Sequence, residues 1–207
     1  GCQLQKRARC GKMARKGAEK MTAKEFMDFL HILERMKCNT RHGWTSTGRR
    51  ESVAEHSYRL CAMAFLLRDE FPDLDMGKVL DMCIVHDWGE AVTGDIPSFL
   101  KTDTDEAAET DAVGGLTARL PDKKGKLDAL FAELLALETP EAKLYKALDR
   151  IEAVIQHNES DIATWLPREY ELNLTYADEN VAFSDYLKRL REEIRRETRD
   201  KIAAAEH

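Results

Sequence analysis

No stretch of this chain is apolar for anything like the 20 or so residues that a membrane-spanning helix needs. A membrane partner is therefore not expected. The residues after the basic N-terminal start carry no apolar run either, so no secretory signal is read there. Cysteine is scarce and unpaired. The five (Cys2, Cys10, Cys38, Cys61 and Cys83) are odd in number and scattered, and none forms a C-x-x-C pair. That spacing gives no disulfide framework, and a reducing cytoplasm is the expected location. Cys61 and Cys83 fall inside apolar helical patterns and read as small core residues. Strand signals are nearly missing too: no run of β-branched residues alternates with period two, whereas helical spacing recurs along the chain.

What is present is the balance of a globular domain, with 43% hydrophobic and 34% charged residues over 207 positions. The net charge of −6 is unevenly spread. Residues 1–20 hold seven basic residues (Lys6, Arg7, Arg9, Lys12, Arg15, Lys16 and Lys20) and one acid, Glu19. The remainder holds 25 basic and 37 acidic residues, a net charge of −12. So acidic a body argues against binding a long nucleic acid. The basic extension, 1–20, is expected to lack order, since low hydrophobicity with high charge disfavours folding. Binding of RNA or an anionic surface is the other reading of such a segment. No internal repeat or domain boundary follows, so residues 21–207 are expected to form one all-α domain, a helical bundle.

Two capping boxes mark helix starts, T-A-K-E at Thr22–Glu25 and S-V-A-E at Ser52–Glu55. Between them lies a polar, basic loop from Asn39 to Glu51. A third helix is expected from a cap at Asp75 to about Ala91. Others are expected over 103–120, 124–137 and 140–158, and a charged, solvated closing helix over 178–205.

The informative feature is polar residues placed where the core should be. The apolar stripe Val53, Leu60, Met63, Ala64, Leu67 includes position 56, which is histidine. The stripe Met76, Val79, Leu80, Cys83, Ile84 continues to position 87, which is aspartate. A carboxylate on a core stripe is costly unless it is paired or metal-bound. His86 neighbours it, and Glu90 follows at helical spacing from both. On the 140–158 helix, Leu144, Leu148, Ile151 and Ile155 form the apolar face. Tyr145, Asp149 and Glu152 adjoin it. Each residue alone has a blander explanation: a hydrogen-bonded core histidine, a buried ion pair, a surface pair between Asp149 and Arg150. Together they offer two imidazoles and two carboxylates from three helices, an open coordination sphere for a divalent ion.

The order His56, His86-Asp87, Asp149 resembles the HD-domain phosphohydrolase superfamily. The segments RHGWTSTGRRESVAEHSYRL and IVHDWGEAVTGDIPSF resemble its 5′-deoxynucleotidase branch, the YfbR-like and HDDC2-like proteins, across roughly residues 22–160. That resemblance implies a helical, homodimeric hydrolase. It would bind one divalent metal and split deoxyribonucleoside 5′-monophosphates into deoxynucleoside and phosphate. It places the metal ligands on His56, His86, Asp87 and Asp149, and catalytic acids on Glu90 and Asp95. Substrate contacts fall on Arg41 and Trp44, with Arg49 and Arg50 as further candidates for the phosphate. The missing residue here is histidine: none lies between Asp87 and Asp149. Two-metal relatives need extra histidines there, so a mononuclear site is expected. The ligand set does not choose among Co, Mn, Fe, Ni and Zn. Two alternatives stay open: a mononuclear phosphohydrolase acting on a nucleoside triphosphate or an alarmone, and a non-catalytic scaffold binding metal or nucleotide.

Overall fold

A computed structural model describes residues 20–97 and 99–205. The basic extension expected at 1–20 therefore lies outside the described residues, save Lys20. The chain runs through α1 (Ala23–Leu33), the single turn α2 (Arg35–Cys38), and strands β1 (Thr40–Trp44) and β2 (Arg50–Ser52). Then come α3 (Val53–Leu66), α4 (Met76–Val85), the short α5 (Glu90–Thr93), α6 (Asp103–Thr117) and α7 (Lys124–Ala136). The last elements are α8 (Pro140–Glu159), α9 (Glu169–Thr175), α10 (Asp178–Val181) and α11 (Asp185–Ala205). The architecture is all-α, and no helix among the described residues is long and apolar enough to cross a membrane.

Local chemistry accounts for the helix starts. Both expected capping boxes form, and Thr102 with Asp105 makes a third at the head of α6. Thr139 caps α8, with Pro140 in its first turn, where a missing N–H costs nothing. Helix α8 is the axis of the molecule, and α3, α4, α7, α10 and α11 pack around it. Its Leu144, Leu148 and Ile151 meet Leu60, Val79, Met82 and Leu187 in a core closed to solvent.

Three expectations need correction. First, the loop at 39–51 contains an antiparallel hairpin, with Thr40 opposite Ser52 and Trp44 opposite Arg50. Its strands are three and five residues long and irregular in register, too short to show period-two alternation. Second, α4 stops at Val85 rather than near Ala91. Tight turns carry the chain from Val85 to Glu90, with Trp88 N–H donating to Val85 O and Glu90 N–H to Asp87 O. Gly89 permits this: a Cβ there would lie 2.7 Å from Glu109 Cγ and 3.2 Å from the Glu109 carbonyl oxygen. The inward face of α4 is Met76, Val79, Met82 and Cys83, while Ile84 is 48% exposed. Third, the closing helix is split into α10 and α11, and α11 is not merely solvated. It buries Leu187, Ile194 and the guanidinium of Arg191. Arg191 Nε donates to Tyr176 O at 2.7 Å and Nη2 to Asn173 O at 2.8 Å, which ties down α9, an element the sequence pattern did not reveal.

Candidate metal centre

His56 sits in the first turns of α3, where the Ser52–Glu55 box fixes the helix register. It is fully buried, and its Nδ1–H donates to Glu152 Oε2 on α8 at 2.5 Å. His86 caps α4, and its Nδ1–H donates to Cys83 O at 2.9 Å. Each imidazole therefore points its Nε2 inward, the atom that ligates a metal once it gives up any proton it carries. The two Nε2 atoms face each other at 3.3 Å. Two lone pairs cannot hydrogen-bond to each other, so this approach is repulsive unless something positive lies between them.

The carboxylates close the same space. Asp149 Oδ1 lies 3.2 Å from His56 Nε2 and 3.9 Å from His86 Nε2. Asp87 Oδ2 lies 3.0 Å from His86 Nε2 and 3.9 Å from His56 Nε2. Ligand bonds of about 2.0–2.2 Å to one ion place donor atoms roughly 3 Å or a little more apart. His56, His86 and Asp149 form a tight candidate ligand group, with Asp87 at its edge. The two imidazoles and two carboxylates thus fit one divalent cation.

The electrostatics ask for that cation. Burial and Arg41 act to lower the pKa of His56, but hydrogen bonds to Asp149 and Glu152 outweigh them and raise it to about 10. Burial opposes ionisation of Asp149, yet Lys146 and His56 hold it well below the usual carboxylate range. Asp87 is likewise held down by His86, then Arg41 and His56, against its burial. The pocket demands positive charge, and a metal ion displaces the proton that otherwise answers the demand.

Around this centre a single cavity is lined by Arg41, Asp87, Glu90, Asp95, Lys146 and Asp149, among others. Arg41, from β1, reaches Asp87 Oδ2 at 3.4 Å with Nη1, Asp95 Oδ1 at 3.9 Å with Nη1, and Glu51 Oε2 at 3.6 Å with Nε. Glu90 opens α5, and its buried Oε2 has no hydrogen-bond partner. Burial, then Asp87 and Asp95, push its pKa up to about 10, so it holds a proton at neutral pH in the metal-free protein. Asp95 is raised by burial against the pull of Arg41.

Trp44, Arg49 and Arg50 lie outside this lining. The hairpin turns at Thr45–Arg49, beyond the end of β1, and carries them away. Arg49 pairs with Glu55 at 2.5 Å, and Arg50 stacks 4.3 Å over the Trp44 ring while donating to His42 O. Conversely, Lys146 was missed. Its Nζ lies 2.7 Å from Asp149 Oδ2, and the only trace in sequence is its i, i+3 spacing from Asp149. Glu51 was missed for want of a visible strand, and burial and Glu152 raise it to about 7. Glu152 was legible only as a member of the strip beside the apolar face.

The role of Glu152 gives a direct expectation. Glu152→Gln should weaken metal affinity about 10- to 100-fold while leaving the helical circular dichroism unchanged, because it orients His56 without touching the ion. Calorimetric metal titration checks this, and unchanged affinity would contradict it.

The chain is similar to known proteins. Residues 33–191 match the family model described as HD domain. The chain is 33% identical over 137 residues to 5′-deoxynucleotidase hdd1 of Schizosaccharomyces pombe, covering 62% of this chain and 68% of that protein. It is 31% identical over 142 residues to 5′-deoxynucleotidase HDDC2 of Homo sapiens, covering 66% and 69%. A crystal structure described as a predicted metal-dependent phosphohydrolase from Magnetospirillum magnetotacticum superposes with a TM-score of 0.73 at 28% identity, covering 86% of this chain and 93% of that one. With a histidine–carboxylate centre on three helices and these relatives, the chain belongs to the HD-domain family.

Proposed function

We propose that this protein is a metal-dependent 5′-deoxynucleotidase that converts deoxyribonucleoside 5′-monophosphates to deoxynucleoside and phosphate. The observation that carries the reading is the facing pair of Nε2 atoms, each ring oriented from behind and the pair flanked by two carboxylates. The names of the relatives in fission yeast and human support the substrate class. The ligands are His56, His86, Asp87 and Asp149, around one ion. When bound, a divalent ion supplies Lewis-acid polarisation of the phosphoryl group and an acidified water.

The remaining chemistry belongs to the chain. Glu90, with an unshared Oε2 in the cavity, orients the attacking water and, once positive charge in the centre offsets Asp87 and lets it ionise, takes its proton. Asp95, which faces the same Arg41 Nη1 as Asp87, gives a proton to the leaving 5′-oxygen. Arg41 and Lys146 neutralise the phosphate, Arg41 with a planar fork suited to two oxygens. We further propose that the enzyme is a cytoplasmic homodimer. Tyr58, Phe65 and Leu66 share one outer face of α3 by helical spacing and are between 59% and 77% exposed, an apolar patch that a second copy would cover.

A panel of deoxynucleoside monophosphates, ribonucleotides and triphosphates, each with Co²⁺, Mn²⁺, Fe²⁺, Ni²⁺ or Zn²⁺, tests the reading. Inorganic phosphate should appear from the deoxynucleoside monophosphates and stop with a chelator. Release of pyrophosphate or triphosphate instead would move the assignment to another phosphohydrolase class. No turnover with any metal would leave a binding scaffold.

A further inference from the structure

The cavity does not end at the metal centre. His157 follows Asp149 by eight residues on α8, about 12 Å at the helical rise, and lines the same cavity together with His42 and Asn173. That is about the reach of a nucleoside monophosphate from phosphate to the far edge of its base. The end wall is an ordered hydrogen-bond chain. Glu169 Oε2 accepts from Leu166 N–H at 2.6 Å, and Glu169 Oε1 accepts from His42 Nε2 at 2.7 Å. His157 Nε2 stands 3.7 Å from that same oxygen, and its Nδ1–H donates to Asn173 Oδ1 at 3.0 Å.

The chain leaves one group unanswered. Asn173 is 2% exposed, and its Nδ2 has no partner. Its Oδ1 is held by His157, and buried Arg191 donates to its backbone carbonyl at 2.8 Å, so both ends of the residue are tied in place. A buried amide donor kept without a partner on a cavity wall is a donor held for a ligand. Phe99, with its ring edge-on to His42 at 5.6 Å, adds a flat apolar surface beside it. The His42–Glu169–His157 group has metal-ligand chemistry, but both Glu169 oxygens already accept hydrogen bonds, so the group is satisfied without an ion.

We propose that Asn173 reads a carbonyl oxygen on the base, making this end of the cavity a subsite for keto-bearing nucleobases. The inference rests on the nucleotidase reading and adds a specificity element to it. A base edge with an amino group in place of the carbonyl presents donor to donor and leaves both unpaired, the arrangement that discriminates most strongly.

The matched pair deoxyinosine and deoxyadenosine monophosphate, which differ at the 6-position, tests it. Wild-type kcat/KM should favour deoxyinosine monophosphate by at least about tenfold. Asn173→Asp keeps the oxygen that His157 needs and replaces the donor with a charged acceptor. It should lose that preference through the deoxyinosine substrate, turn over the deoxyadenosine substrate at least as fast as the wild type does, and keep wild-type metal content. Asn173→Ser, which shortens the side chain and withdraws the amide donor, is the second variant should the aspartate fail to fold, with loss of the deoxyinosine preference expected again. Equal losses on both substrates, or no preference in the wild type, would overturn the proposal. So would a second equivalent of bound metal that disappears in Glu169→Gln. If no monophosphate is hydrolysed at all, the nucleotidase reading fails separately. Calorimetric binding of the two free deoxynucleosides then decides the subsite: tighter deoxyinosine binding supports it and equal binding overturns it.

Discussion

His56→Ala is expected to lose the bound divalent ion and, with it, on the order of 10³-fold in phosphate release or more. The expectation follows from position as much as from chemistry. His56 is fully buried between Glu152, which fixes its ring, and Asp149, which lies 3.2 Å from its Nε2. Removing it subtracts a ligand and takes a hydrogen-bond donor from both Glu152 and Asp149. The loss should therefore appear in three measurements. Equilibrium dialysis should give well below one ion per chain, turnover should fall with it, and added metal should no longer raise the melting temperature as it does for the wild type. Wild-type metal content in this variant would mean that the ligand set is wrong. Retained fold with lost metal separates ligation from simple unfolding.

Glu90→Gln should act differently, lowering turnover about 10²- to 10⁴-fold while the metal stays stoichiometric. Glu90 lies in the cavity, and its unpartnered Oε2 is placed to accept a proton once bound positive charge lets the group ionise. The same burial makes it a liability for the metal-free fold. Its folded pKa is raised from the usual 4.5 to about 10, so the folded protein retains a proton that the unfolded chain releases. Stability contributed by this group is complete below the unfolded value and declines as pH rises from about 4.5 towards 10. Glutamine carries no such charge. In chelator, Glu90→Gln should melt a few degrees above wild type at pH 8 and converge with it near pH 4.5, as expected for on the order of 1–3 kcal/mol in a chain this long. A variant as active as wild type would remove Glu90 from the chemistry. A variant less stable than wild type at pH 8 would contradict the burial argument.

The metal centre was legible because two principles conflicted in plain view. His56 occupied a core position on a helix whose start was marked by a capping box, and Asp87 lay at the end of another apolar pattern. The structure refines that picture. On α4 the inward face runs through Met82 and Cys83 to His86, and Asp87 enters the site from the first residue after the cap, where α4 has ended. The pattern over-extended the helix because periodicity carries no signal for the close packing of Gly89 against α6.

The other parts were hidden for physical reasons. The hairpin that presents Arg41 has strands too short for alternation to show, so the arginines at 41, 49 and 50 looked equivalent. Only the turn at Thr45–Arg49 separates them, sending Arg41 into the cavity and the others to Glu55 and Trp44. Glu152 looked like an ordinary polar residue beside an apolar face, and Lys146 drew no attention, since what gives them their roles is contact with His56 and Asp149. Asn173 depends on a segment with no strong periodicity, pinned by Arg191 from a helix whose charged composition suggested full solvation. Long-range tertiary hydrogen bonds of this kind leave no local trace.

The central claim is one divalent ion held by two imidazoles and two carboxylates. X-ray absorption on the protein loaded with zinc tests it most directly. The account predicts one ion per chain, two imidazole nitrogens at about 2.0–2.1 Å and the remaining donors oxygen. A sulfur shell, fewer than two imidazoles, or a second metal at about 3.5–4 Å would contradict it.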